Sequence, residues 1–456
     1  MIVTKTSGLQ SAVKAAIFLL TLTAFQAGAQ EKITLQQAVD LTLQNNLQIK
    51  QSKLSEALSG ENLKQSKLFF YPTLNASANL DENFGRNPDP VTYEVVNQQF
   101  LNATGSASSN VPIFQGFRLW NQISQYKYQL ESDKSYTRKI QNDLALTVVT
   151  TYLQILNNQD LLTASRQQLE IAELQLDREQ KQFDVGAKTL ADLSQAKAQA
   201  ATAQQNVTNA QNQLDISYLN LAQLMERDPG NKFEVVKPVI DQLGEIQNKY
   251  AASEIYAKAA ETYPDITVAR YRSLAAYKAI SVARGDLFPR LSFGASLGSS
   301  YSSREYLNAD RELVRDPFSK QLSNNFRQAI GLNLSIPIFN NFSSRINVRK
   351  AKINYQNALV SEQLAKNNFN KIIYQAVTDL RAAESSYNSA NSAYESARDA
   401  FNAIQQRYGV GLVNSLDFNQ AQTDLNQKQF NLIQARYNLI FRNKVIDFYL
   451  GNPLTF

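Results

Sequence analysis

Proline is absent from Ile113 to Asp228 and again from Ile338 to Asn452, and in both stretches apolar residues recur at every seventh position. Proline inside a helix removes a hydrogen bond and clashes with the preceding turn, so such long stretches without it predict extended helices. The first series is Val148, Ile155, Leu162, Leu169, Leu176 and Phe183, then Leu193, Ala200, Val207, Leu214 and Leu221. The second is Ile373, Leu380, Tyr387, Tyr394, Phe401 and Tyr408, then Phe418, Leu425, Leu432, Leu439 and Ile446. A seven-residue period, rather than one nearer 3.6 per turn, implies paired helices with left-handed supercoiling. Gly186 interrupts the first stretch, and Gly409 and Gly411 the second, so each reads as helix, sharp turn, helix. An arm from Gln115 to Phe183 would be on the order of 100 Å long at about 1.5 Å per residue. A globular domain has no need of such a helix, whereas a structure crossing an aqueous compartment does.

The two stretches belong to a tandem repeat. Val111-Pro112-Ile113-Phe114 recurs as Ile336-Pro337-Ile338-Phe339, and Val185-Gly186 recurs as Val410-Gly411, both at a spacing of 225 residues. Upstream, Tyr71-Pro72-x-Leu74 answers Phe288-Pro289-x-Leu291, and Asn46-Leu47 answers Asp265-Ile266, at slightly different spacings. Pro229, Gly230, Pro238 and Gly244 break both periodicities and mark the boundary. The reading divides the chain into a first repeat over 30–228, an inter-repeat segment over 229–250, a second repeat over 251–450 and a C-terminal segment over 451–456. Each repeat is predicted to hold a helix, a β-hairpin and a long helical hairpin.

The hairpins are read from a change of period. Leu74, Ala76, Ala78 and Leu80 alternate with Asn75, Ser77, Asn79 and Asp81; Ala103, Gly105, Ala107 and Ser109 alternate with Asn102, Thr104, Ser106 and Ser108. In the second repeat Leu291, Phe293, Ala295 and Leu297, and then Ile330, Leu332, Leu334 and Ile336, behave likewise. Period two with one apolar face and one small or polar face predicts strands. Long polar connections are expected at Glu82 to Gln99 and at about Ser302 to Asn324. Four strands cannot close a membrane barrel, which needs about eight, and open edges are not tolerated in lipid. Either the strands are half-buried in a soluble domain, or several chains pool them; lengths of about 9 to 11 residues suit the second.

The N-terminus bears on the compartment. Lys5 and Lys14 give a basic start, Ala15 to Phe25 a short apolar run, and Ala27-Gly28-Ala29 a small-x-small cleavage site, so residues 1–29 read as a signal peptide and Gln30 as the mature start. The run is shorter than the ~20 residues of a spanning helix. The chain has neither Cys nor His, which excludes a disulfide scaffold, zinc sites of the usual kind, Cys or His nucleophiles and His general bases. Its 46 basic and 40 acidic residues make a mixed surface, with no nucleic-acid signature.

Together these features resemble the TolC family of outer-membrane factors over essentially the whole mature chain. The most specific are the turn motifs, Phe183-x-Val185-Gly186-x-x-x-x-x-Asp192 and Tyr408-x-Val410-Gly411-x-x-x-x-Leu416-Asp417-x-x-x-Ala421. The resemblance implies a mixed α and β fold: a long coiled-coil α-helical barrel plus a transmembrane β-barrel built from four strands per chain, assembled as a homotrimer. It implies a non-enzymatic conduit without cofactors, in the outer membrane of a Gram-negative bacterium and extending into the periplasm. The chain would take substrates passively from an inner-membrane transporter and a periplasmic adaptor, in a tripartite efflux or type I secretion system, and would meet outer-membrane lipid.

The resemblance also implies roles for the tips. Val185, Gly186, Ala187, Val410, Gly411 and Leu412 would meet the adaptor. Asp417 matches an acid lining the periplasmic entrance, and the family's second acid is replaced by Gln420, with Asp424 two turns further along as partial compensation. Asp192 and Tyr408 match a pair linking neighbouring coiled coils in the closed gate, and Val413 stands where an Arg is often found, so fewer charged links are expected. The residues themselves also allow plainer roles. The glycines suit a left-handed helix terminus, the two Asp suit a helix start, and Tyr408 suits the heptad core. Arg345, Arg349, Lys350 and Lys352 read as a solvated or interfacial helix face. The alternatives of other classes are a periplasmic coiled-coil adaptor or structural protein, and a carboxylate-only hydrolase.

Overall fold

The computed structural model describes residues 31–88, 95–237, 251–307, 310 and 312–452. The signal peptide with its Gln30 boundary, Pro238 and Gly244 of the inter-repeat segment, and Phe456 lie outside the described residues. The described elements, in order, are β1 (Glu31–Ile33), α1 (Leu35–Asn45), α2 (Leu47–Leu68), β2 (Thr73–Pro88), β3 (Val95–Gln115), α3 (Arg118–Asp184), α4 (Leu190–Leu224) and β4 (Phe233–Val235). The second repeat continues with α5 (Ala252–Ala259), α6 (Pro264–Gly285), β5 (Arg290–Ser302), β6 (Tyr306–Leu307), β7 (Leu313–Val314), α7 (Phe318–Asn324), β8 (Arg327–Ser335), α8 (Ser343–Gly409) and α9 (Ser415–Leu450). Helices α3 and α8 are each 67 residues long, and both start and end 225 residues apart. None of the described helices is long and apolar enough to cross a membrane.

The chain divides into two compact units. One comprises Ser52–Thr137 and Pro264–Lys366. Its centre is one antiparallel sheet of order β2-β3-β5-β8, in which β3 pairs with β5 and so joins the two repeats edge to edge. The register aligns Leu74, Ser109, Ala295 and Ile330 across all four strands, and Asn75, Ser108, Ser296 and Ala329 in the next row. Side chains alternate faces along a strand, so the apolar sets of the four strands fall on one face and the Asn, Ser and Thr sets on the other. On the apolar face Leu74, Leu80, Phe293, Leu297, Ile330, Leu332 and Leu334 are exposed within the single chain.

The strands depart from their expected lengths. β2 and β3 have 16 and 21 residues, so most of the polar connection expected at Glu82 to Gln99 is paired strand, with Glu82 opposite Leu101 and Gly85 opposite Gln98. Ladder hydrogen bonds extend a hairpin wherever both faces meet water, and apolar alternation is then no guide. The second connection is also structured: β6 pairs with β7, and α7 packs on β5. Beyond Gly298, where β8 has ended, the Gln321 side chain bonds both N and O of Ser302 at 2.9 Å, and Asn325 Nδ2 donates to the Ser300 carbonyl at 2.8 Å. Side-chain amides thus occupy strand groups that would otherwise form an open edge.

Where strand meets helix, Gly116 and Phe117 take consecutive positive φ values of 58° and 61°, and their counterparts Asn341 and Phe342 take 54° and 60°. A Cβ on Gly116 would sit 2.6 Å from the Gly285 carbonyl oxygen, whereas Asn341 has the side chain best suited to this conformation after glycine.

The other unit comprises residues up to Gln51, Arg138–Tyr263 and from Asn367 onward. Its core gathers Val148, Ile155, Leu162, Leu214 and Leu221 of the first heptad series with Leu35, Val39, Phe233 and Ile440. The positions three residues after the heptad residues, Asn158, Ser165, Ala172 and Glu179, are buried too, as the second half of a coiled-coil seam requires. β1 and β4 form a parallel pair that periodicity did not announce, being three residues each. Tyr152 of α3 closes it, its hydroxyl 3.0 Å from the Ile33 carbonyl and 2.7 Å from that of Val236. Burial pushes the Tyr152 phenol up to about 12.

Candidate functional site

The helical hairpins of both repeats turn by the same device. Gly186 donates to the Phe183 carbonyl at 2.9 Å and Ala187 to that of Gln182 at 2.8 Å; Gly411 donates to Tyr408 at 3.1 Å and Leu412 to Arg407 at 2.9 Å. This double bond pattern ends a helix on a left-handed residue, and Gly186 and Gly411 take φ values of 75° and 79°. Among the described residues, no heavy atom beyond the adjoining backbone lies within 4 Å of where a Cβ on either would stand, so conformation alone calls for glycine.

Descending helices start with matched caps. Thr189 accepts from the Asp192 N–H at 3.2 Å and Asn414 from the Asp417 N–H at 2.8 Å, again 225 residues apart. Side-chain acceptors at this position satisfy N–H groups the helix leaves free. Val185, Val410, Leu412, Leu190 and Leu416 stand exposed around these turns, a cluster of apolar side chains at otherwise polar tips. Ala187 is exposed beside them.

Asp192 does more than start a helix. Its Oδ2 accepts from the Thr189 hydroxyl at 2.7 Å and backbone N–H at 3.2 Å, while Oδ1 accepts from the Ser415 hydroxyl at 2.9 Å. These bonds, that from the Thr189 hydroxyl foremost, hold its carboxyl below the usual carboxylate range. Since Ser415 opens α9, the bond ties the second hairpin to the first. Asp192 and Tyr408, read as a pair from the resemblance, each engage other partners here.

Tyr408 is buried. Its ring stacks on Phe418 with centroids 4.6 Å apart, and Arg178 and Lys188 lie over it at 5.2 and 5.6 Å. Its hydroxyl donates to Glu179 Oε1 and accepts from Gln175 Nε2 at 2.7 Å. Burial, with the Glu179 carboxylate alongside, pushes the phenol up to about 12. Tyr408 is therefore a packing residue and a polar link together.

Asp417, Gln420 and Asp424 are all exposed on α9. Asp424 pairs with Lys428 at 3.5 Å, while the Asp417 carboxylate has no ion pair among the described residues. Val413 packs partly buried against Phe401, Tyr408 and Phe418. Its counterpart in the first repeat is Lys188, whose Nζ lies 3.9 Å from Glu179 Oε2 of the same hairpin.

Gln175, Glu179, Lys188 and Ser415 were not singled out from the sequence. Glu179 carried a signal: an acid at a seam position where the second repeat has Ile404. Ser415 carried none, its partner being 223 residues away.

A sequence profile of the outer membrane efflux proteins matches residues 38–226 and 255–452. Outer membrane protein TolC of Escherichia coli strain K12 is 24% identical over 408 residues, covering 89% of this chain and 79% of its own length. Outer membrane efflux protein BepC of Brucella suis biovar 1 is 22% identical over 415 residues, covering 90% and 83%. Among solved structures, the CmeC outer membrane channel of Campylobacter jejuni aligns with a TM-score of 0.76 at 20% identity, covering 91% of this chain and 85% of its own.

Proposed function

The chain belongs to the outer membrane efflux protein family, of the TolC type, and from that premise we propose that it is the channel subunit of a tripartite efflux or type I secretion system. As a member of that family it is an outer-membrane protein. Membership also favours the channel over the periplasmic adaptor and the hydrolase. On our reading three copies pool their strands into one barrel, and the tips form the periplasmic end, passing substrate without chemistry of their own.

The observation that carries this reading is the four-stranded sheet. One face is apolar and exposed, the other is lined with Asn, Ser and Thr, and among the described residues β2 and β8 each have one unpaired edge. Unpaired backbone groups cost several kcal/mol each in hydrocarbon, so a sheet of this kind is stable in lipid only when closed by further strands. The apolar face suits lipid and the polar face a watery lumen. The exposed valines and leucines of the two turns supply a small apolar surface for the adaptor, and Asp417, whose charge is unpaired among the described residues, is suited to a ring around the entrance.

Outer-membrane extraction followed by mass measurement in detergent and planar-bilayer recording tests this reading. A trimer that conducts is expected; a stable monomer without conductance would remove it.

A further inference from the structure

The most unusual group in the helical unit is Glu179. It is a carboxylate only 1% exposed, in the middle of a coiled-coil seam, and its Oε2 has no hydrogen-bond partner among the described residues. Its Oε1 accepts from the Tyr408 hydroxyl and from Gln175 Nε2, the latter at 2.7 Å, and Lys188 Nζ stands 3.9 Å from Oε2. Gln175 belongs to the same helix as Glu179, and Lys188 to the adjoining turn. Tyr408 alone comes from the second hairpin.

A buried charge is tolerated only when it is paired and hydrogen-bonded. Moving α8 away from α3 would strip Glu179 of its one hydroxyl donor and leave the carboxylate dry with a single amide and a distant ammonium. Moving it far enough to admit water would solvate the carboxylate again. Intermediate displacements are the costly ones, so this contact favours two discrete arrangements over a continuum, as a gate requires.

We infer that Glu179 is a positioning residue of the gate: fixed from the first hairpin by Gln175 and Lys188, it holds Tyr408, and through Tyr408 the second hairpin, in the shut arrangement. This rests on the reading of the tips as the channel's periplasmic constriction. Lys188 thereby supplies from the first repeat the cation that Val413 does not supply from the second. Arg178, over the Tyr408 ring, is a further charge facing the contact.

The test is single-channel recording of the full-length protein in planar bilayers, comparing the parent with Glu179→Gln, Tyr408→Phe, their combination, and Lys188→Gln. Losing one charge-assisted bond should raise the resting open fraction about tenfold or more. Glu179→Gln and Tyr408→Phe should each do so, and the double variant should exceed neither, because both remove the same contact. Lys188→Gln, at a partly exposed turn where folding is not at stake, should shift the open fraction in the same direction by less. Tyr408→Phe retains ring packing, so a purely structural tyrosine would leave conductance unchanged. Single variants that conduct like a conducting parent, or whose effects multiply in the double variant, would overturn the assignment. A parent that never conducts would instead remove the channel reading on which it rests.

Discussion

The Ser415 hydroxyl donates to Asp192 Oδ1 at 2.9 Å, so the descending helices of the two hairpins begin in contact with each other. Asp192 simultaneously completes the capping box of α4 with Thr189. One carboxylate thus couples a local helix start to a contact between repeats.

That coupling is pH-dependent in a defined direction. The Asp192 carboxyl is held below its ordinary value, so its contribution is complete above about pH 4 and is lost as pH falls through the lowered value. Thermal melts of the parent and Asp192→Asn should keep a constant gap between pH 5 and 8 and converge on acidification below about pH 4. A gap unchanged down to pH 2 would show that Asp192 titrates normally.

Glycines of similar φ should differ sharply in tolerance. At Gly186 or Gly411 alanine meets no neighbour among the described residues and pays only the left-handed conformation, about 1 to 2 kcal/mol. At Gly116 alanine would also collide with the Gly285 carbonyl and Phe288. Outer-membrane yield should fall severely for Gly116→Ala and little for the tip variants. The bulkier Gly186→Val and Gly411→Val should lower export, measured as substrate efflux from cells, while leaving that yield largely intact.

Charge at α9 should matter unequally. Asp417 is unpaired among the described residues, whereas Asp424 is partly neutralised by Lys428. Asp417→Asn should reduce cation selectivity, read as a shift in reversal potential under a salt gradient, with pore conductance little changed. Asp424→Asn should shift it less. Equal shifts would mean that the Lys428 pair does not persist in the working protein.

Tyr152→Phe should cost about 1 to 3 kcal/mol by removing the hydroxyl that donates to the part-buried Val236 carbonyl and one of two donors to the Ile33 carbonyl, which keeps the Val236 N–H at 3.1 Å. In the parent, the phenol's value is raised to about 12, so its contribution is intact below about pH 10 and declines as pH rises through 12. Melting temperatures of parent and variant should therefore differ at pH 8 and draw together at high pH. A constant difference would count against the Tyr152 contact.

Much of the fold was legible because it is periodic. The heptads from Val148 to Phe183 and from Ile373 to Tyr408 reappear as α3 and α8, and the glycines at 186 and 411 take the left-handed turn for which residues of their type are suited. The strand positions followed from alternation, but their lengths did not: Asp81 to Arg86 lack an apolar face, yet backbone pairing carries β2 through them. The helix α7 at the end of β5 was hidden for a related reason, since Gln321 and Asn325 act through contacts with a strand about twenty residues away rather than through a pattern of their own.

Sequence alone determined the repeat, its helical hairpins, the two turns and the four strands, because each depends on neighbours within a few residues and on periods of two and seven. Tertiary structure alone decided that β1 pairs with β4, that β3 joins β5, that Asp192 meets Ser415, and that Tyr408 bonds Glu179. Those choices depend on which helices and strands end up adjacent and at what height, and on which buried charge lacks a donor there. Residues more than two hundred positions apart settle such questions only when the packed elements bring them within hydrogen-bond reach.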